Sequence, residues 1–258
     1  MQIHPTAIVD SRSRIAEGVI IHPYTIIGPD VEIGEGCEIG PHVVVRGPTR
    51  IGRNNRIFQF SSVGEDCQDK KYKGEPTSLE IGDNNVIREA CTIHRGTVQD
   101  ESITRIGNGN LFMVNSHVAH DCVVGNDCIF ANNVGIAGHV KVGDSVIIGG
   151  NSGIHQFCVL SSYSMVGGGS LILKDVPAFV MVSGNPAQAA GMNFEGMRRR
   201  GWSSETINNL KRAYKIVYRQ SLTMDEAIRQ LESDLLPVCP EVGLLIESLK
   251  SSSRGITR

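Results

Sequence analysis

An aliphatic side chain recurs at every sixth position through the first part of this chain, and few architectures satisfy such a period. The series runs Ile3, Val9, Ile15, Ile21, Ile27, Ile33, Ile39, Val45, Ile51, Ile57 and Val63 without a miss. It resumes at Ile81, Ile87 and Ile93, shifts by one, and continues from Ile106 through Phe112, Val118, Val124, Phe130, Ile136, Val142, Ile148, Ile154, Leu160 and Val166 to Ile172. At 40% hydrophobic composition, so long an unbroken series has a chance probability on the order of one in ten billion. The period matches neither an α-helix nor an alternating strand. It matches short strands joined by corners, each strand turning one aliphatic side chain inward while Gly, Asn and Asp supply the turns. Three such strands close a triangular coil of about 18 residues. Stacked coils lie about 4.8 Å apart, so residues about 18 apart in sequence become neighbours in space.

These repeats predict an all-β solenoid, a parallel β-helix, over residues 1–192, followed by a smaller C-terminal α-helical domain over residues 193–258. Two interruptions stand out. The segment GEDCQDKKYKGEPTSLE at 64–80 lacks the beat but keeps its phase, which predicts one coil's worth of chain looped outward. The step of thirteen from Ile93 to Ile106 predicts one inserted residue near 96–102, in a second outward loop at about 95–105. Loops thrown from a rigid scaffold are where binding residues collect. Beyond Ile172 the beat fades through KDVPA at 174–178. Ser203 or Ser204 caps a predicted helix reaching Tyr218, Thr223 and Glu226 form a capping box for a second helix from Met224, and 241–251 reads as a third. Helices this short pack poorly alone and are expected to lie against the open end of the solenoid.

Charge and cysteine content narrow the function classes. The net charge of -2 gives no whole-chain reason to expect nucleic acid as a partner. From Asn193 onward, however, 11 Lys or Arg face 8 Asp or Glu, a basic surface suited to an acidic protein or a phosphate. Seven cysteines with no Cys-x-x-Cys pair argue against a disulfide framework and against a cysteine-rich zinc site. Asp10, Arg12, Arg14 and Glu17 stand where a signal peptide needs an apolar core, and no run of 18 apolar residues follows, so a cytoplasmic protein without membrane insertion is expected.

Counting by 18 through the later repeats sets His120, Gly138 and Gln156 in one column and Asp121, His139 and Phe157 in the next. His117 and His155 flank them. A lone histidine on a strand is ordinarily a satisfied polar residue, but four in one patch change that reading. A neutral imidazole can take a proton from a hydroxyl, and a backbone N–H one coil away can stabilise an oxyanion. Gly138 suits the second role because it lets a reacting group approach the backbone. Side chains adjacent on a strand point apart, so Asp121 is not expected to orient His120. A second reading has the histidines bind zinc, as in a β-helix hydratase. A third makes the solenoid a non-catalytic recognition scaffold.

The segments QDKKYKGEPT (68–77), IHRGTVQD (93–100), HVAHDCVVGN (117–126), AGHV (137–140), IHQF (154–157) and NFEGMRRRG (193–201) together resemble the UDP-N-acetylglucosamine O-acyltransferases that begin lipid A biosynthesis. The resemblance extends over essentially the whole chain. It implies left-handed winding, against the general preference for right-handed crossovers. It also implies transfer of a 3-hydroxyacyl chain from acyl carrier protein to the 3-hydroxyl of UDP-N-acetylglucosamine, with no cofactor or metal, by a homotrimer whose sites lie between subunits. The loop bearing Asp69 and Lys71 would then face a neighbour's histidine column.

Carried over by motif, His120 is the general base and Gly138 the oxyanion donor. Gln68, Asp69 and Lys71 match contacts to sugar and acyl chain, and His117, His139, His155 and Gln156 match the lining of the cleft. Asn193, Glu195 and Arg199 match the nucleotide contacts, while His94 and Arg200 match less defined positions. Arg198, Arg199, Arg200 and the basic helices offer a surface for the acidic carrier. Pro186 stands where some members have a histidine, and Gly168 leaves space where shorter-chain members place a bulky residue, so a fairly long acyl chain is expected.

Overall fold

The computed structural model describes residues 1–258. Two-residue strands follow one another around three faces, so that each face is a parallel sheet assembled from every third strand. On the first face Ile3 pairs with Ile21, Ile21 with Ile39 and Ile39 with Ile57. The second face aligns Val9, Ile27, Val45 and Val63. The third aligns Ile15, Ile33, Ile51 and Ile81. Each pair places one residue inward and one outward, as the strand pleat requires. Ile39, Val45, Ile87, Phe112 and Phe130 are therefore wholly buried, while Ile8 and Ile26 face out.

Three mechanisms make the corners. First, each coil spends one residue per corner in the left-handed region. Asn115, Asn133, Asn151 and Gly169 do so at one corner, and Asn84, Gly109, Asp127 and Ser145 at another. Asn, Asp and Gly tolerate that conformation best, which is why they punctuate the repeat. Second, buried polar side chains stack through the interior of a corner. Asn55 Oδ1 accepts from Asn85 N at 2.9 Å and Nδ2 at 3.0 Å, and Asn85 Oδ1 accepts from the same two atoms of Asn110 at 2.9 and 3.0 Å. The amide nitrogens of the three then close on the carbonyls of Gly82, Gly107 and Gly125. Third, small apolar groups fill the remaining corner positions. All seven cysteines are free and buried, five of them (Cys37, Cys91, Cys122, Cys128 and Cys158) wholly so, and act as small hydrophobes.

Both interruptions leave the same corner, between the second and third faces, in successive coils. Their sizes differ from the sequence expectation. Strand Ser62–Glu65 is followed directly by Ser78–Ile81 on the next face, so Val63 and Ile81 stand 18 positions apart where a corner needs six. The first loop is thus 12 residues of insertion, two repeats rather than a full coil. Likewise Thr92–His94 leads directly to Ile103–Ile106, which makes the second insertion seven residues rather than one. A count that wraps at six cannot tell one from seven.

After Ile172 the chain adds a last first-face strand, with Val166 against Val182, and turns back in an antiparallel hairpin of Val180–Gly184 with Ala187–Met192. Four helices follow: α1 Phe194–Arg199, α2 Ser204–Arg219, α3 Met224–Asp234 and α4 Val242–Lys250. The Ser203 cap and the Thr223–Glu226 capping box are present, whereas α1 and the hairpin were not legible in the repeat. The helices share one continuous core with the end of the coil, where Ser248 Oγ accepts from Ala178 N at 3.2 Å and Ile256 bridges Asp175.

Replacing Asn85 with alanine removes the acceptor of two buried Asn110 donors, so Asn85→Ala is expected to lower unfolding free energy by about 2–4 kcal/mol. Equilibrium urea unfolding measures it, and a loss below about 0.5 kcal/mol would mean the ladder is not a structural element.

Candidate active site

The corner that releases both loops also carries, in the next three coils, Asp121, His139 and Phe157, each in the left-handed region at φ of 58°, 63° and 66°. His120, Gly138 and Gln156 precede them. The 18-residue register expected for these columns is present, since Val118 pairs with Ile136 and Ile136 with Ile154. His139 N donates to His120 O at 3.0 Å, and Phe157 N to Gly138 O at 3.2 Å. Functional side chains therefore stand along one edge of the coil, directly above the place where the loops emerge.

His120 Nδ1 lies 2.8 Å from Asp121 Oδ2. This corrects the expectation that the two side chains diverge. Alternation holds only along extended backbone, and the positive φ of Asp121 swings its carboxylate back beside the preceding ring. The carboxylate is itself fixed by the second loop: Thr97 N donates to Oδ1 at 2.7 Å and Thr97 Oγ1 to Oδ2 at 2.6 Å. Burial, the largest influence on Asp121, pushes its carboxyl up, but the hydrogen bonds from His120 and Thr97 outweigh it and hold the group below the usual carboxylate range. With Nδ1 engaged, His120 keeps Nε2 for chemistry. The ring lies across Gly138, where a Cβ would stand 2.6 Å from Nε2. Glycine there is a steric condition of the His120 pose, and the Gly138 N–H donates to no group of the chain.

The remaining histidines differ in setting. His139 stacks on Phe157 with ring centroids 4.4 Å apart, meets His120 edge-on at 5.0 Å, and holds Asp100 Oδ2 at 2.8 Å through Nδ1. His117 Nδ1 is 2.7 Å from Thr92 Oγ1, and the His117 ring meets His94 edge-on at 4.9 Å. Burial, and then the neighbouring His117, press His94 down to about 4. His117 is lowered as well, by burial and then by His120. Burial disfavours charge on both rings, which contribute shape to the site and, through His117, a hydrogen bond to Thr92.

On the first loop Gln68 and Lys71 are exposed and Asp69 is half-buried. Asp69 Oδ1 accepts from Lys71 N at 2.9 Å, a local turn that presents both side chains outward. Just below, the buried Cys67 thiol is pushed up by burial, with the charges of Asp69 and Asp121 adding, so the base of this loop lies within electrostatic reach of the dyad. His155 and Gln156 are exposed one coil above Gly138, and His155 Nδ1 lies 3.4 Å from an Arg254 guanidinium nitrogen. Asn193, Glu195 and Arg199 form a separate group on α1. Asn193 is buried and caps the helix through Gly196 N at 3.0 Å, while Arg199 pairs with Glu195 at 3.1 Å in the open. Gly168 lies on the other edge of the second face, packed toward Gly150 rather than His120. Sequence reasoning missed Arg95, Thr97 and Asp100, which reach the site only because the second loop folds back over it.

His120, Asp121 and His139 bring ligand-type atoms within 4.8 Å of one another, so the zinc reading has a geometric basis to test. The donor chemistry does not favour it. Both Asp121 oxygens already accept hydrogen bonds, and both histidine Nδ1 atoms are committed to carboxylates. Only the two Nε2 atoms are left, short of the three protein ligands usual for catalytic zinc.

The chain is similar to known proteins along its whole length. The description "Udp N-acetylglucosamine O-acyltransferase; Domain 2" fits residues 175–257, and "Bacterial transferase hexapeptide (six repeats)" fits 12–47 and 103–138. The chain is 62% identical over 257 residues to the acyl-[acyl-carrier-protein]–UDP-N-acetylglucosamine O-acyltransferase of Psychrobacter sp. (strain PRwf-1), covering 100% of this chain and 99% of the relative. Solved structures of LpxA from Acinetobacter baumannii (64% identity) and of UDP-N-acetylglucosamine O-acyltransferase (LpxA) from Moraxella catarrhalis (58%) each superpose with a TM-score of 0.98 and full coverage of both chains.

The depressed His94 gives a pH-dependent stability whose sign follows from linkage. The unfolded chain binds a proton near pH 6.5, whereas the folded one refuses it until about 4. Stability is therefore expected to fall as pH drops from about 6.5 to 4, by about 3 kcal/mol at the lower end. Urea unfolding across that range should show a shallower slope in His94→Gln, with the lowered His117 supplying part of the remainder; an unchanged slope would assign it to other groups.

Proposed function

The chain belongs to the UDP-N-acetylglucosamine O-acyltransferase family, and on that premise we propose that it moves a (3R)-3-hydroxyacyl chain from acyl carrier protein to the glucosamine 3-hydroxyl of UDP-N-acetylglucosamine, with His120 as general base. The observation that carries this role is the Asp121–His120 contact across Gly138. A carboxylate that fixes Nδ1 as the protonated nitrogen leaves Nε2 basic, the tautomer a general base needs.

His120 Nε2 takes the sugar hydroxyl proton as the oxygen attacks the thioester carbonyl. The oxyanion that forms is met by the unpaired Gly138 N–H. Collapse of the intermediate breaks the carbon–sulfur bond, and the carrier thiol leaves with the proton from His120. All protons are accounted for by one imidazole, so the reaction needs no metal or other cofactor, and the carrier is a substrate.

Gln68, Asp69, Lys71, His117, His139, His155 and Gln156 bind the sugar and acyl portions in this scheme. Asn193, Glu195 and Arg199 bind the nucleotide, with the guanidinium suited to phosphate. Gly168 leaves room for the distal acyl chain. Left-handed winding, a homotrimer with sites between subunits, a cytoplasmic location and a place as first step of lipid A biosynthesis complete the reading. It draws support from the identity to relatives over the full chain. Family membership favours acyl transfer over the zinc hydratase and the passive scaffold.

His120→Ala is expected to lower kcat by about 100-fold or more with folding intact, and Asp121→Asn by a smaller factor. A steady-state assay with UDP-N-acetylglucosamine and a graded set of 3-hydroxyacyl carrier proteins measures both. Unchanged turnover in His120→Ala would rule out the general-base role, and fastest turnover with the shortest chain would rule out the long-chain expectation from Gly168.

A further inference from the structure

We propose, on the acyltransferase reading above, that Arg95 is a positioning residue that locks the first loop, with Asp69 and Lys71, to the segment that orients the His120–Asp121 pair. Arg95 stands at the root of the second loop, and its side chain is only 9% exposed. One guanidinium nitrogen donates to the carbonyls of Gly64 at 2.6 Å, on the coil beneath, and Gly47 at 3.0 Å, on the coil below that. The other donates to Asp66 and, at 3.3 Å, to Tyr72 Oη on the first loop. Tyr72 Oη in turn donates to Glu75 O at 2.9 Å. A single planar fork therefore ties both ends of the turn that presents Gln68, Asp69 and Lys71 to the coil. Lysine cannot reproduce such a fork.

The same short stretch reaches the dyad. Two residues on, Thr97 makes the two hydrogen bonds that hold Asp121. Between them Gly96 packs so closely that a Cβ would overlap the backbone of Ile103. Arg95, Gly96 and Thr97 thus form one stiff bridge, with the sugar loop on one side and the general base on the other. Arg95 Nε is buried without a partner. Packing alone gives no reason to bury a guanidinium with an orphaned donor, whereas a clamp between two functional loops does. Lys70, Lys71 and Lys73 of the inserted loop are exposed, and apart from the fork the Tyr72 hydroxyl bonds only to Asp66 and Glu75 of the loop itself.

The test compares Arg95→Lys, Arg95→Met and Tyr72→Phe in the full-length protein. Lys70, Lys71 and Lys73 are exposed, so limited trypsin digestion reports loop opening without any substrate. Expected results are about tenfold faster cleavage at these lysines in Arg95→Met and about a tenfold rise in KM for UDP-N-acetylglucosamine. Arg95→Lys should fall between wild type and Arg95→Met, and the pH profile of kcat should not move. If Arg95→Met fails to fold, Tyr72→Phe, which touches only the loop end, carries the same expectations at smaller size. Unchanged cleavage, or faster cleavage with unchanged KM, overturns the proposal, as does a fall in kcat alone. Failure of the wild-type protein to use UDP-N-acetylglucosamine would instead sink the acyltransferase reading, leaving the protease comparison to judge the clamp.

Discussion

Everything in this molecule depends on the in-register stacking of parallel coils. Each two-residue strand hydrogen-bonds to the strand one coil below and one above, so a residue's neighbours are set by its place in the repeat. Like then sits on like. Ile stacks on Ile within the faces, and Asn55, Asn85 and Asn110 share their amides through one corner. A buried asparagine is tolerated because the next coil supplies the identical partner, as in stacked amide ladders elsewhere.

The same rule builds the site. Three coils place His120, Gly138 and Gln156 along one edge, each followed by a left-handed corner residue, and at the first of them that residue, Asp121, turns its side chain toward His120. A corner of this kind is a better platform than a strand for a catalytic pair, because two consecutive side chains can meet there. Insertion at that corner in the two coils below adds walls without disturbing the stack, since a loop that leaves and re-enters at one corner keeps the register of all three faces. Fold and site are thus separable: hexapeptide positions hold the coil, while corner positions and the loops that leave them carry the chemistry.

Much of this was legible before any coordinates. The period identified strands, faces and inward residues, and the spacing of 18 located the histidine column because stacking converts sequence distance into contact. The Ser203 cap of α2 and the capping box of α3 were equally plain, since a cap and its helix are adjacent in sequence. Other features were not. The hexapeptide phase predicts insertions of one coil and one residue where they are 12 and seven, because phase is preserved by any multiple of six. Asp121 was set aside because adjacent strand residues diverge, a rule that fails where φ is positive. Arg95, Thr97 and Asp100 carry no pattern at all, being ordinary loop residues whose partners lie on other coils.

By itself, then, the sequence determined the stack, its core and the edge on which the histidines stand, since these follow from periodicity and a single repeated geometry. Only the tertiary structure decided that His120 is held by Asp121, that Thr97 holds Asp121, and that Arg95 ties the first loop to the coil. The Thr97–Asp121 and Arg95–Asp66 contacts span 24 and 29 residues through irregular chain, and no local propensity or period encodes where a loop will come to rest.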